Sequence, residues 1–264
     1  MPPDAAHAAD ATGGSDCILL TRPDTESRQL AQALRKLPVE CIIFPTLEIR
    51  PAEPAAAQIA AIDSLDRFHL AIFVSANAVR HGLALVRSRR TWPVQVRVAA
   101  VGVATARALE EAGFDRVLSP ADGNDSEALL AHPALRDPRA RRILIVRGVG
   151  GREHLAAALR ARGAQVEYLE AYRRAVPILD PFPVRRALEQ QRLRAIVAAS
   201  AEGVRNLVTM VGPELAAALH RVPLLVHHPR IAQAAAQLGF EQVRLAPAEA
   251  AELVQVLRGC LRPE

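Results

Sequence analysis

Two serines stand directly after buried-type strands, at equivalent points of two similar stretches of the chain. Ser75 follows the run I-F-V and Ser200 follows the run I-V-A-A, and a helical sequence comes after each. Each serine can cap its helix while the neighbouring backbone N–H groups face an anion. A helix cap with no role in ligand binding explains either serine about as well as an anion-binding role does. Because both stretches have one, we take these serines, with Ala76, Asn77 and Ala201, as candidates for binding an anionic ligand.

A turn with glycine and threonine follows another strand of the first stretch. In the run V-G-V-A-T-A, Gly102 lets the backbone approach a ligand and Thr105 supplies a hydroxyl group or a helix cap. The second stretch has V-H-H-P-R-I instead, with Arg230 where the threonine would stand. If both turns were only structural, we would expect similar residues in each. Because the residues differ, we expect the two turns to have different roles, and Arg230 is a candidate anion ligand.

A Gly-rich run, R-G-V-G-G-R, follows a third strand. It resembles an anion-binding loop but matches neither the Walker A pattern nor G-x-G-x-x-G, and a tight turn also explains its glycines. Its candidate ligand-binding residues are Arg147, Gly148, Gly151 and Arg152. Arg22 stands after the corresponding strand of the first stretch, at the position equivalent to Arg147. It is therefore also a candidate ligand-binding residue.

Tyr172, one of two tyrosines, lies in the run E-A-Y-R-R just before a proline-flanked segment. A tyrosine hydroxyl can donate or accept a proton at a carboxylate-rich site, although a lone tyrosine more often has a structural role. The sequence has no Ser/His/Asp triad, no paired-carboxylate site and no cluster with metal-ligand spacing. We therefore expect neither a metal nor a cofactor.

The elements that must position these residues alternate as strand, turn and helix, and the series occurs twice. The run I-L-L-T-R at Ile18 returns as I-L-I-V-R at Ile143, an offset of 143 − 18 = 125 residues. Solenoid units recur every 20–50 residues or so, whereas this period is the size of a small domain. The pattern predicts an α/β fold of two related, doubly wound parallel-sheet domains, with ligands beyond the carboxyl ends of the strands.

Composition narrows the function classes. Half of the 264 residues are hydrophobic but only 3% are aromatic, which suits aliphatic parallel-sheet cores and not base stacking. The net charge of +5 comes from dispersed arginines and not from a dense stripe, so nucleic acid is not the expected partner. No apolar run is long enough to span a membrane. The first fifteen residues lack the features of a signal peptide and predict a disordered tail.

The three cysteines are odd in number and widely separated. Cys17, Cys41 and Cys260 lie in or near apolar segments, so we interpret them as buried thiols of a cytoplasmic protein.

A set of motifs resembles the uroporphyrinogen-III synthase family and covers nearly everything after about Asp16. The motifs are I-L-L-T-R-P at 18–23, I-F-V-S at 72–75, V-G-V-A-T-A-R-A-L at 101–109, D-S-E-A-L-L at 125–130, R-G-V-G-G-R-E-H-L at 147–155, A-Y-R-R at 171–174 and S-A-E-G-V-R-N-L at 200–207. The resemblance implies two flavodoxin-like domains joined by two antiparallel linker strands, with the active site in the inter-domain cleft. The implied boundaries are 16–46 plus 178–264 for the first domain, 50–172 for the second, and 47–49 and 173–177 for the linkers. Each domain then combines the opening strand and helix of one repeat with the remainder of the other.

The resemblance also implies a reaction. Members of this family convert linear hydroxymethylbilane to uroporphyrinogen III without a cofactor: water leaves, the terminal pyrrole ring inverts and the macrocycle closes. The eight carboxylates of that substrate suit helix N-termini, hydroxyl groups and arginines. The family's proton-donating tyrosine corresponds to Tyr172, its cleft threonine to Thr105, and its cleft serines to Ser75 and Ser200. We expect a monomer, and a transient contact with hydroxymethylbilane synthase stays open.

Two other functions remain as alternatives. A cytosolic two-domain anion sensor that closes on its ligand explains the repeat equally well and needs no catalytic residue. A nucleotide-sugar glycosyltransferase also has two doubly wound domains, but those chains are normally longer and this one lacks a clear sugar-donor motif.

Overall fold

The structure is a computed structural model that describes residues 15–261. All but the last residue of the tail expected at 1–15 therefore lies outside the described residues. The chain forms two compact units: the first runs to Glu48 and resumes at Val176, and the second is Ile49–Ala175. Both crossings fall inside the segments expected as linkers, 47–49 and 173–177.

Strands and helices alternate along most of the described chain. The strands are β1 (Cys17–Leu20), β2 (Glu40–Ile43), β3 (Glu48–Pro51), β4 (Leu70–Phe73), β5 (Arg97–Ala100), β6 (Val117–Leu118), β7 (Arg142–Gly148), β8 (Gln165–Ala175), β9 (Leu193–Ala198), β10 (Leu224–Val226) and β11 (Val243–Leu245). The helices are α1 (Asp24–Leu34), α2 (Ala56–Asp63), α3 (Ala76–Arg87), α4 (Val103–Glu111), α5 (Ser126–Ala131), α6 (His154–Ala161), α7 (Phe182–Glu189), α8 (Ala201–Val211), α9 (Ala216–Arg221), α10 (Pro229–Gln237) and α11 (Ala250–Arg258). Short 3₁₀ turns lie at Leu65–Arg67, Pro133–Leu135 and Pro213–Leu215.

The first unit contains a five-stranded sheet in the order β2-β1-β9-β10-β11, and every adjacent pair is parallel. The strand order reverses between β1 and β9, where Ile18 lies opposite Ala195. In open parallel sheets, ligands bind at such a reversal, beyond the carboxyl ends of the strands.

The second unit repeats this arrangement in the sheet β3-β8-β7-β4-β5-β6, in which β4 to β8 pair in parallel. Its reversal lies between β7 and β4, where Ile143 is opposite Leu70. The parallel, doubly wound α/β sheets predicted from the sequence are therefore confirmed. Each sheet joins two opening strands of one repeat to three closing strands of the other, and the second sheet also has β3 at its edge.

Helices cover both faces of each sheet, which explains the continuous aliphatic character of the strands. In β1, Cys17 and Leu19 pack into the core on one face, while Ile18 and Leu20 pack into the core on the other. The four residues of β4 divide between two cores in the same way. Successive side chains of a strand point to opposite faces, so a strand buried on both faces needs apolar residues throughout. None of the helices within residues 15–261 has the length and apolar character needed to span a membrane.

Candidate active site

Ser75 and Tyr172 meet at the strand-order reversal of the second unit. Ser75 follows β4 and is the N-cap of α3, where its Oγ accepts a hydrogen bond from the Ala78 N–H at 3.1 Å. The same Oγ lies 3.1 Å from the hydroxyl oxygen of Tyr172, which comes from β8. The predicted cap is present, and this serine also holds the tyrosine hydroxyl at the N-terminus of a helix.

Gly148 is required by the position of the Tyr172 ring. The pairing of β7 with β8 shifts by one residue after Arg147, which places Gly148 opposite Tyr172. A Cβ atom added at position 148 would lie 2.8 Å from Cε2 and Cζ of this ring. Carbon atoms in ordinary contact are about 3.5–4.0 Å apart, so no larger residue fits here without moving the tyrosine. Tyr172 itself is only 7% exposed, and its carbonyl accepts a hydrogen bond from Val149 N.

Arg147 turns inward and holds the Gly-rich loop. Its Nη1 donates to the carbonyl of Gly151 at 3.1 Å and to Oε1 of Glu153 at 2.7 Å, and its Nη2 donates to Oε1 of Glu170 at 3.1 Å. The guanidinium also stacks over the ring of Tyr168, 3.6 Å from the centroid. Only 9% of this side chain is exposed. Arg147 is a candidate anion ligand in the sequence, whereas its hydrogen bonds here are to the loop and to two carboxylates.

The carboxylate of Glu153 is stabilised by this arrangement. The Tyr168 hydroxyl and Arg147 both donate hydrogen bonds to it, which lowers the pKa of Glu153 below its ordinary value. Burial and the same hydrogen bond to Glu153 raise the pKa of Tyr168. At neutral pH Glu153 is therefore ionised and accepts hydrogen bonds from Tyr168 and from Arg147, which also donates to the loop carbonyl of Gly151.

A cavity of about 450 Å³ opens beside these residues. Predicted residues that line it are Ser75, Arg147, Gly148, Gly151, Arg152 and Tyr172. Residues that were not predicted from the sequence also line it: Asn124, Asp125, Ser126, Glu127, His154 and Arg174. Four of them lie in the D-S-E-A-L-L motif or directly before it, and His154 follows the Gly-rich run. Their place in or beside these motifs was the only sign in the sequence that they could belong to the site.

The helix starts around this cavity differ in their caps. Asp125 caps α5 by accepting from Ala128 N at 2.8 Å, whereas α6 has no side-chain cap within the described residues. An uncapped helix start leaves backbone N–H groups for an anion. Nε2 of His154, the first residue of α6, lies 3.4 Å from Oε1 of Glu127.

Gly102 and Thr105 are not among the residues that line this cavity. The Oδ1 of Asn124 accepts a hydrogen bond from Val103 N at 3.0 Å and so caps α4. A Cβ at Gly102 would lie 3.2 Å from this Oδ1, so the glycine makes room for an asparagine cap. Thr105 is 5% exposed in the first turn of α4. Ala76 and Asn77 occupy the first turn of α3 and are partly buried.

In the first unit, Ser200 caps α8 by accepting from Gly203 N at 3.0 Å, as predicted from its place in the repeat. Ala201 follows it in the first turn. A buried threonine pair that was not predicted from the sequence supports this turn: Thr46 Oγ1 would lie 3.0 Å from a Cβ at Gly203, and it donates to the carbonyl of Thr21. Nothing in the local sequence marked Thr46, because its role depends on a distant helix.

The basic residues of the first unit surround the end of β1. The Nε of Arg22 is buried and has no hydrogen-bond partner among the described residues. Burial and the positive charge of Arg22 lower the pKa of His227, so this imidazole is neutral at neutral pH. His228 caps α10, where its Nδ1 accepts from Arg230 N at 3.1 Å, and the Arg230 side chain is exposed. Within residues 15–261, no three His, Cys, Asp or Glu side chains converge as metal ligands.

The amino-acid sequence matches one protein family over most of its length. A family model described as uroporphyrinogen-III synthase HemD matches residues 28–254. The chain belongs to the uroporphyrinogen-III synthase family. The uroporphyrinogen-III synthase of Salmonella typhimurium is 34% identical over 233 residues, which cover 87% of this chain and 94% of that protein. The corresponding protein of Escherichia coli strain K12 is 32% identical over 235 residues, with the same coverage of 87% and 94%.

Solved structures of this family share the fold. A mutant uroporphyrinogen III synthase from the extremely thermophilic bacterium Thermus thermophilus aligns with a TM-score of 0.60 at 20% identity, over 93% of this chain and 98% of its own. The enzyme from Helicobacter pylori 26695 aligns with a TM-score of 0.56 at 15% identity, over 94% of this chain and 100% of its own. Family membership confirms the resemblance seen in the motifs and does not favour the anion-sensor alternative.

Proposed function

We propose that this uroporphyrinogen-III synthase family member cyclises hydroxymethylbilane to uroporphyrinogen III, as a lyase that releases water and inverts the terminal pyrrole ring. Family membership across residues 28–254 supports the substrate and the product. The observation that carries the assignment of residues is the 3.1 Å contact between the Tyr172 hydroxyl and Ser75 Oγ beside the cavity of the second unit.

Tyr172 is proposed to act as the general acid. Its hydroxyl proton passes to the oxygen of the terminal hydroxymethyl group as the carbon–oxygen bond breaks, and water leaves. The electron pair of the pyrrole ring stabilises the cationic carbon that remains. The resulting tyrosinate lies beside the N-terminus of α3, where the helix dipole favours a negative charge. Ser75 serves this step by orienting the phenol, since its Oγ already accepts from Ala78 N and can donate to the tyrosine oxygen.

The remaining candidates are proposed to bind the substrate's carboxylates. In the second unit, the uncapped start of α6 and the exposed guanidinium of Arg152 are suited to this role, since charge-assisted hydrogen bonds to carboxylates are strong. Arg147 is proposed as a positioning residue, because its guanidinium is engaged with the loop that contacts Tyr172. In the first unit, Arg22, Ser200, Ala201 and Arg230 are the proposed ligands, and we further propose that Gly102 and Thr105 act by shaping α4.

One assay tests the reaction. Freshly prepared hydroxymethylbilane is incubated with the protein, the product is oxidised, and the porphyrin isomers are separated by chromatography. We expect isomer III. Isomer I alone, the product of spontaneous closure, would refute the proposed enzyme.

A pair of tyrosine variants tests the proton donor. Tyr172→Phe is expected to lower turnover by about tenfold or more, because it removes one general acid, whose contribution is typically about 10²–10⁴-fold. Tyr168→Phe is the matched control, since it removes the other tyrosine hydroxyl from the same strand. It is expected to cost less turnover, because its hydroxyl faces Glu153. Unchanged turnover in Tyr172→Phe would remove this residue from the mechanism.

A further inference from the structure

A groove separate from the cavity of Tyr172 runs along the outside of the second unit between α3 and α4. Its volume is about 590 Å³. From α3 it is lined by one helical stripe that includes Ala76, Arg80 and Arg87, and from α4 by a facing stripe that includes Ala104 and Arg107. The lining residues in the first turns of α3 and α4 are alanines, and their small side chains leave this end of the groove open.

The two arginines nearest the candidate site lie at the same distance from the N-termini of their helices. Arg80 and Arg107 are each four residues after the first residue of their helix, which is about 6 Å along the helix axis. Both helices begin at the carboxyl edge of adjacent parallel strands, β4 and β5. Side chains on a helix lean toward its N-terminus, so we expect both guanidinium groups to extend along the groove toward that edge.

The positive charge at this end of the groove is not neutralised. Both Arg80 and Arg107 are exposed, and neither has an ion pair or hydrogen-bond partner within the described residues. The one carboxylate that lines the groove, Glu111, is a further turn down α4. At the far end, Arg87 is already engaged, because its Nη2 donates to the carbonyl of Ala112 at 2.9 Å.

We propose that Arg80 and Arg107 form a carboxylate-binding extension of the substrate site. The groove begins at Ala76, and the preceding residue, Ser75, lines the cavity of Tyr172, so the two sites are adjacent at the start of α3. Two unpaired guanidinium groups fit a pair of acetate or propionate side chains of the tetrapyrrole substrate. This inference rests on the proposed function, since it takes hydroxymethylbilane as the ligand.

The test is the steady-state kinetics of Arg80→Gln/Arg107→Gln with hydroxymethylbilane, read together with the isomer of the product. The KM is expected to rise by about five- to tenfold while kcat is retained, because two exposed charge contacts are lost far from the reacting atoms. Arg80→Lys/Arg107→Lys keeps the charges but loses the two-pronged guanidinium geometry, and is expected to recover part of the affinity. Arg87→Gln lines the same groove at its far end and is expected to leave KM unchanged.

Three results separate the outcomes. An unchanged KM in the double Gln variant overturns the proposal, provided that the wild-type protein makes isomer III. An equal rise of KM in Arg87→Gln also overturns it, because the groove would then act as a whole or through the fold. Failure of the wild-type protein to make isomer III refutes the proposed function instead, so the two failures are distinguishable. Thermal unfolding of each variant is the control for the fold, and the midpoints are expected to match that of the wild-type protein because the substituted side chains are exposed.

Discussion

Gly148→Ala is expected to impair Tyr172 without altering its chemical group. The new Cβ would lie 2.8 Å from Cε2 and Cζ of the tyrosine ring. Ordinary carbon contact begins at about 3.5 Å, so the ring must shift by about 0.7 Å or more. The Ser75 Oγ and the Tyr172 hydroxyl are 3.1 Å apart, and a shift of that size is enough to break their hydrogen bond.

Two magnitudes follow from this displacement. Overpacking a buried site costs about 1–3 kcal/mol, and we expect the free energy of unfolding to fall within that range. A misplacement of about 1 Å at a reacting group can cost a hundredfold in rate, and loss of one general acid costs at least as much in many enzymes. We expect turnover to fall by about tenfold or more, comparable with the loss in Tyr172→Phe.

The assay is a double-mutant cycle of turnover with hydroxymethylbilane, using Gly148→Ala, Tyr172→Phe and the combination. The double variant is expected to be no slower than Tyr172→Phe alone, because both changes act through the same hydroxyl. Gly259→Ala is the control, since the nearest atom to its added Cβ is 3.5 Å away and its φ is −71°. Losses that multiply in the double variant would refute the reasoning, because Gly148 would then act independently of the tyrosine.

Three further predictions concern the loop and the helix caps. Arg147→Gln removes the buried cation that pairs with Glu170 and Glu153 and is expected to lower the free energy of unfolding in urea by about 2–4 kcal/mol, whereas Arg152→Gln at an exposed position changes it by less than about 0.5 kcal/mol. Equal effects would contradict the inward position of Arg147. The lowered pKa of Glu153 gives a stabilisation that is complete above its ordinary value of 4.5 and is lost as the pH falls through the lowered value. Glu153→Gln is therefore expected to reduce the acid dependence of the thermal midpoint, and an unchanged acid limb would contradict this. Ser75→Ala and Ser200→Ala are each expected to lower the free energy of unfolding by about 1 kcal/mol, and calorimetry that shows no loss would argue against their capping role.

Local signals predicted the elements and two of the side-chain roles. Ser75 and Ser200 were predicted as helix caps from the order strand, serine, helix, and both accept the expected backbone hydrogen bond. A cap depends on residues within one turn, so the nearby sequence contains the needed information. The parallel sheets followed equally well from the alternation of aliphatic strands with helices.

Roles that depend on distant residues were not predictable in this way. Arg147 was a candidate anion ligand, but its guanidinium reaches Glu170, 23 residues away on the neighbouring strand. Gly102 was predicted to let the backbone approach a ligand. In the structure the Asn124 side chain lies beside Gly102 and accepts a hydrogen bond from the Val103 N–H, 21 residues away in the chain. The sequence contains these residue types but not their distances.

The sequence by itself determined the period of the repeat, the strand–turn–helix alternation, the aliphatic cores and the motifs of the uroporphyrinogen-III synthase family. These properties depend on neighbours along the chain, where spacing and propensity act directly. The tertiary structure alone decided that Tyr172 and Ser75, 97 residues apart, share a hydrogen bond, and that Arg147 faces the protein. Those contacts exist because β8, β7 and β4 lie side by side at the reversal of strand order. That order comes from burying both faces of the whole sheet, a free energy that no single segment contains.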